Sequence, residues 1–104
     1  MAIEVTYDDR TYKFGITRSA ATMLEQDGFD LEQVASKPNL MIPKLVYCAA
    51  VAYNPGIRRK LVDDIFDALD AKGDFIVALI EEYGAATASL METKDQGKAT
   101  WKQV

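Results

Sequence analysis

Four aspartates have the spacing that could do chemistry: Asp63, Asp64, Asp67 and Asp70 lie one, three and four residues apart. On a helix, carboxylates three and four residues apart share a face, and their oxygens can hold a divalent cation. Rigid calcium sites, however, use loops that add backbone carbonyl ligands. We therefore interpret the four aspartates as the solvated face of an amphipathic helix, and we expect no metal there.

Three basic residues, Arg58, Arg59 and Lys60, precede the aspartates at a predicted helix start, where the helix dipole disfavours cations. They could contact acidic groups on a partner, or they could pair with Asp63 and Asp64 at helical spacing. We favour local pairing. In a chain of net charge −4, three basic residues are a weak signal for nucleic-acid binding, and an anionic membrane surface is disfavoured as well.

Catalytic groups are scarce, because the chain has no histidine and one cysteine, Cys48. Histidine is the commonest general base and a common zinc ligand, and one cysteine cannot build a zinc or iron–sulfur site. Cys48 lies in the uncharged run 45–53, where apolar surroundings raise a thiol pKa and make the thiol unreactive. The chain also has no glycine-rich phosphate loop. The sequence predicts a protein that is not an enzyme and uses no cofactor.

A β-hairpin is predicted over 2–16, because apolar residues alternate in "IEVTY" and "TYKFGI" and the turn residues "DDR" lie between them. Two strands alone are marginal in water, so the hairpin must pack on helices or pair with another strand. Its two unpaired edges, only partly protected by Lys13, predict self-association.

Capping signals divide the next part of the chain into helices. Thr17 and Gly28 bound a first helix. Asp30 caps a second helix, which ends at Pro38. Pro43 suits the first turn of a third helix, which ends at "NPG". This third helix is apolar nearly all round, as a central core helix packed on several sides should be.

The fourth predicted helix is amphipathic and ends at Gly73, and Asp74 caps the last one. The predicted fold is α+β: an N-terminal β-hairpin followed by about four to five α-helices, mostly α. We expect a single compact domain over 1–92, with the hairpin at 2–16 and helices across 18–92, and a flexible tail over 93–104.

The last helix carries a second apolar stripe beyond its core face, and this stripe is the candidate partner-binding surface: Val77, Ile80, Gly84, Ala88 and Met91. Small residues four apart let another helix approach closely. The alternative is that the stripe packs under the hairpin. Trp101, in the polar tail, either contacts a partner or folds back on its own domain.

The order of segments then resembles a known family. "IEVTYDDRTYKFGIT" leads into "MLEQDGFDLEQ", followed by "LVYCAAVAYNPG", "LVDDIFDAL" and "FIVALIEEYGAATASL". This order resembles that of the small tail assembly chaperones of long-tailed bacteriophages and prophages, and the resemblance covers nearly the whole chain.

The resemblance implies a partner and a place of action. Such chaperones bind the long, helical, hydrophobic tape measure protein and keep it soluble until tail tube subunits polymerise around it. It implies a homo-oligomer in the host bacterial cytoplasm that is missing from the mature virion, with the tail tube protein as a further partner. One alternative is a structural phage component, such as a head–tail connector or minor tail subunit. Another is a small regulatory protein that binds DNA or a second regulator, and the net charge argues against DNA.

Overall fold

A β-hairpin packed on four α-helices is the architecture of the computed structural model, which describes residues 2–88, 90, 99, 102 and 103. The elements follow in chain order: β1 (Ile3–Tyr7), β2 (Arg10–Phe14), α1 (Arg18–Gln26), a short 3₁₀ turn (Leu31–Gln33), α2 (Pro38–Tyr53), α3 (Arg59–Ala68) and α4 (Lys72–Ala88). The predicted α+β class, with an N-terminal hairpin followed by helices, is confirmed.

The hairpin closes through the two-residue turn Asp8–Asp9, whose φ angles are 55° and 63°. Positive φ at both central residues is typical of a type I′ turn, whose twist matches that of the flanking strands. The antiparallel register places Val5 opposite Tyr12. Val5 and Phe14 are buried on the same face, so the alternation in the sequence identified the inner face correctly.

Helix α2 is the centre of the fold, because it packs against β2, α1, the 3₁₀ turn, α3 and α4. Its buried residues recur along most of its length: Met41, Leu45, Val46, Cys48, Ala49 and Ala50. The uncharged run 45–53 is therefore covered on several sides, as the sequence predicted.

Two hydrogen bonds attach β2 and the residue after it to the C-terminal end of α2. The Gly15 amide donates to the Ala49 carbonyl at 3.2 Å. The Asn54 side-chain amide donates to the Lys13 carbonyl at 2.8 Å. The outer edge of β2 is thus partly satisfied by α2, which fixes the position of the hairpin on the helices.

The first helix begins and ends where its capping residues predicted. The Thr17 hydroxyl accepts a hydrogen bond from the Ala20 amide at 3.1 Å, and Gly28 takes the left-handed conformation with φ 84°. The helix predicted after Asp30 is wrong in extent. The Asp30 carboxylate accepts from the Glu32 amide at 3.0 Å, but only a 3₁₀ turn follows.

The predicted boundary between the second and third helices is also wrong, because α2 begins at Pro38 and includes Pro43. Pro38 occupies the first helical position, where a missing N–H costs nothing. Pro43 lacks the N–H that would bond the Asn39 carbonyl four residues earlier. Since Asn39 is exposed, water can satisfy that carbonyl, and the helix continues.

The last boundary differs from the prediction as well, because Gly73 and Asp74 lie in the first turn of α4 instead of ending α3 and capping α4. The break between the two helices comes earlier and includes Ala71, which takes the left-handed conformation with φ 49°. Leu69 and Phe75, on either side of Ala71, both pack on the core.

Helix α4 also contacts α1, through Tyr83. The Tyr83 ring lies 5.3 Å from the Phe29 ring in an edge-to-face arrangement, and its hydroxyl donates to the Glu25 carboxylate at 2.8 Å. These contacts fix which face of α4 is directed inward. Met91, Trp101 and most of the predicted tail 93–104 lie outside the described residues.

Candidate partner-binding site

No metal site is formed where the sequence offered carboxylates. Within the part of the chain that the structure describes, no three His, Cys, Asp or Glu side chains are grouped so that they could hold a metal ion. Over the same residues, none of the helices has both the length and the apolar character needed to cross a membrane. Of the four aspartates, Asp64 pairs with Lys60, whose Nζ lies 3.3 Å from its Oδ2.

Two open clefts lie beside α2, and we call them together the α2 groove. The first, of about 390 Å³, has an apolar floor and a charged rim; its lining residues are Ile42, Pro43, Val46, Arg59, Asp63, Phe66 and Asp67. The second, of about 340 Å³, is lined by Met23, Gln26, Asp27, Tyr47, Cys48 and Arg59. Arg59 lines both clefts, so the groove runs across α2 from α1 to α3 on either side of this side chain.

The packing of three helices positions the groove. Helices α1 and α3 both pack on α2, and the face of α2 between them provides the floor. Arg59, the first residue of α3, places its guanidinium carbon 4.8 Å from the centre of the Tyr47 ring, a cation–π contact. The expected local pairing of the basic cluster is therefore seen for Lys60, whereas Arg59 lies over an aromatic ring.

Carboxylates lie on the rim of the groove on both sides of α2. Asp63 and Asp67 are exposed on α3, and Asp27 directly follows α1. Lys44 pairs with Asp27, with its Nζ 3.1 Å from Oδ2, and it also donates to the Asp27 carbonyl at 3.0 Å. A segment with apolar side chains and flanking cations would complement this arrangement.

Cys48 is the one potential nucleophile in the groove, and it is buried. Burial raises the pKa of its thiol above the ordinary value of 9.0, and the Asp27 carboxylate raises it further. Arg59 and Lys44 act in the opposite direction without cancelling the increase. The thiol therefore stays protonated at neutral pH, which makes it a weak nucleophile.

We expect Cys48 to react with an aromatic disulfide reagent only when the protein unfolds. Because the pKa is raised in the folded state, folding favours the protonated thiol. The contribution of this group to the free energy of unfolding is therefore full below pH 9 and is lost as pH rises through the folded-state pKa. The reaction rate at pH 8, followed by absorbance in increasing urea, should increase in step with unfolding. A fast reaction without urea would contradict the buried, protonated state.

Of the four residues of the predicted α4 stripe that the structure describes, three are exposed. Val77 is 54% exposed, and Gly84 and Ala88 are exposed as well. Ile80 is half-buried and packs against the core. The alternative in which the whole stripe packs under the hairpin is therefore wrong for the three exposed residues. Binding of a partner to them stays a prediction.

The α2 groove was not predicted from the sequence, because residues from three helices line it and no single segment contains it. The sequence holds one signal, Met23, because flexible methionine side chains are typical of adaptable binding surfaces. The structure places Met23 on α1, where it is 49% exposed.

A hairpin on a central apolar helix, with an open groove beside that helix, defines a small α+β protein whose candidate site is a surface for a partner. The chain belongs to the family described as Domain of unknown function (DUF5055), which matches residues 1–104. No curated protein and no solved structure matches the chain.

Proposed function

We propose that this protein is a tail assembly chaperone of a long-tailed bacteriophage or prophage. It binds the tape measure protein in the host cytoplasm and keeps it soluble until the tail tube polymerises. The order of the sequence segments supports the phage assignment. The proposal concerns a binding protein and includes no catalytic step.

The α2 groove is the observation that carries the proposal. An amphipathic helix is recognised when its apolar side chains enter a hydrophobic groove. The floor at Ile42 and Val46 is apolar, and Phe66 adds an aromatic wall. The rim carboxylates would face cations that flank the apolar face of the client, and they would oppose an acidic helix.

Charge also favours solubility of the complex. The protein carries a net charge of −4, and like-charged complexes repel one another. A long apolar client coated by such a protein would expose acidic surface in place of its own apolar face.

Co-expression with a fragment of the tape measure protein encoded by the same phage or prophage tests the proposal. Asp67→Lys reverses a rim charge and should reduce the soluble fragment about fivefold, as expected for a loss of about 1 kcal/mol in binding. Asp70→Lys is the matched control, because Asp70 is exposed on the same segment but does not line the groove. Equal loss in both variants would mean that net charge alone matters.

Two further results separate the alternatives. If Val77→Asp abolishes solubilisation while Asp67→Lys does not, the client binds the α4 stripe and the groove is excluded. Mass spectrometry of purified virions distinguishes a chaperone, which should be missing from them, from a connector or minor tail subunit, which should be present.

A further inference from the structure

Along the outer edge of β1, backbone groups lack a partner among the residues that the structure describes. The two-residue turn makes Tyr7 and Arg10 a hydrogen-bonded pair, and bonded and non-bonded pairs alternate from there along an antiparallel ladder. Glu4 and Thr6 therefore direct their N–H and C=O groups away from β2. Among the described residues, none bonds to these outward groups.

The outer edge of β2 follows the same alternation of backbone groups, but unlike the outer edge of β1 it has hydrogen-bond partners. By the same alternation, Lys13 and Gly15 direct their backbone groups outward, and these two residues bond to α2. The outer edge of β2 is thus partly covered by a helix, whereas the edge of β1 is left open. An open strand edge is a template for another strand.

We propose that β1 pairs in antiparallel fashion with β1 of a second copy of this chain, with Val5 opposite Val5, to form a four-stranded sheet. This pairing places Glu4 of each copy opposite Thr6 of the other, and these are the two residues whose outward groups need partners. The sheet order across the dimer is β2, β1, β1, β2.

Charge selects this register over its two neighbours. The outward backbone groups of the two strands face each other again only after a shift of two residues. A shift of two residues in one direction places Glu4 opposite Glu4 of the second copy. A shift in the other direction places Glu4 opposite Asp8. Like charges directly opposite one another are destabilising, so both alternatives are disfavoured and the register centred on Val5 is left.

A cleft at the start of β1 would receive a side chain of the second copy. It has a volume of about 310 Å³ and lies between β1 and α4, lined by Ala2, Ile3, Ala78, Glu81, Glu82 and Ala85. In the proposed register, Tyr7 of the second copy lies opposite Ile3 on the inner face. This ring is partly buried against the core of its own copy, and its exposed part would lie at the mouth of the cleft near the small side chains Ala78 and Ala85. This pairing does not depend on the proposed function.

Two matched proline variants test which edge is used. Thr6 and Thr11 are cross-strand partners, and their N–H groups point to opposite outer edges of the hairpin. Proline is tolerated at such edge positions but cannot donate to a neighbouring strand. In sedimentation equilibrium, Thr6→Pro should weaken dimerisation at least tenfold, and Thr11→Pro should leave it unchanged. Circular dichroism confirms that both variants are folded.

Mixed disulfide formation tests the register, in a background where Cys48 is replaced by alanine. Residues in a hydrogen-bonded antiparallel pair lie about 5.5 Å apart at Cα, within the range of about 4.4–6.8 Å for disulfides. A mixture of Glu4→Cys and Thr6→Cys chains should therefore cross-link under mild oxidation in preference to either variant alone. A strictly monomeric wild type, equal effects of the two prolines, or preferential cross-linking of Glu4→Cys with itself would overturn the proposal.

Discussion

Replacing Phe14 with alanine is expected to lower the free energy of unfolding by about 3–5 kcal/mol, the usual range for a buried aromatic residue. Phe14 is 1% exposed, and its ring meets that of Phe75 edge to face at a centroid distance of 5.4 Å. Removing the ring would leave a cavity where the hairpin meets the helices. Since domains of this kind are stable by about 5–15 kcal/mol, the loss is a large part of the total. Urea unfolding followed by circular dichroism measures it.

Tyr53→Ala provides the matched control for this aromatic truncation. Tyr53 ends α2 and is 40% exposed, so its removal creates no closed cavity. We expect a cost below about 1 kcal/mol, as for most exposed positions. Equal urea midpoints for the Phe14 and Tyr53 variants would show that the hairpin does not depend on Phe14.

Aspartate at three positions of α4 that differ in burial is expected to lower stability by very different amounts. Leu79 is 0% exposed, and Leu79→Asp should cost more than about 4 kcal/mol, because it buries a charge without a partner. Ile80→Asp should be intermediate, since Ile80 is half-buried against the core. Val77→Asp should change stability by less than about 1 kcal/mol. Thermal unfolding of the three variants measures these differences in stability, and the introduced residue is the same in each.

Leu79→Ala separates the cost of a cavity from the cost of a buried charge at this position. It creates a cavity without a charge, and it should cost about 2–5 kcal/mol. If Leu79→Asp were no worse than Leu79→Ala, water would reach that position and the described packing of α4 on α2 would be wrong. If Val77→Asp unfolded the protein, the exposed part of the α4 stripe would be covered in solution.

The sequence predicted the hairpin and α1 well, because their signals are local. Alternation sets the inner face of the strands, and Thr17 and Gly28 act within one turn of the residues they cap. The helix boundaries predicted at the prolines were wrong, because the effect of a proline on a helix is not set by local sequence alone. Whether Pro43 ends a helix depends on whether its lost hydrogen bond can be replaced by water, and that depends on tertiary exposure. The position of Ala71 between Leu69 and Phe75, which both pack on the core, likewise depends on tertiary contacts.

The candidate site was harder to predict than the fold. A stripe on one helix can be read from spacing, and Val77, Gly84 and Ala88 are exposed on α4. A groove needs the relative placement of helices, which no local pattern in a single sequence contains. The basic cluster illustrates this difference, because Lys60 pairs within its own helix whereas Arg59 contacts Tyr47 on another.

The bonds that attach the hairpin to the end of α2 also determine when the hairpin can be completed during synthesis. The Asn54 amide and the Lys13 carbonyl are 41 residues apart in the chain. The ribosome makes both strands before it makes α2, so a nascent chain that stops before Asn54 lacks the donor for this bond, and one that stops before Ala49 also lacks the acceptor for the Gly15 amide. The hairpin therefore obtains its two hydrogen bonds to the C-terminal end of α2 only after the chain has been made as far as Asn54.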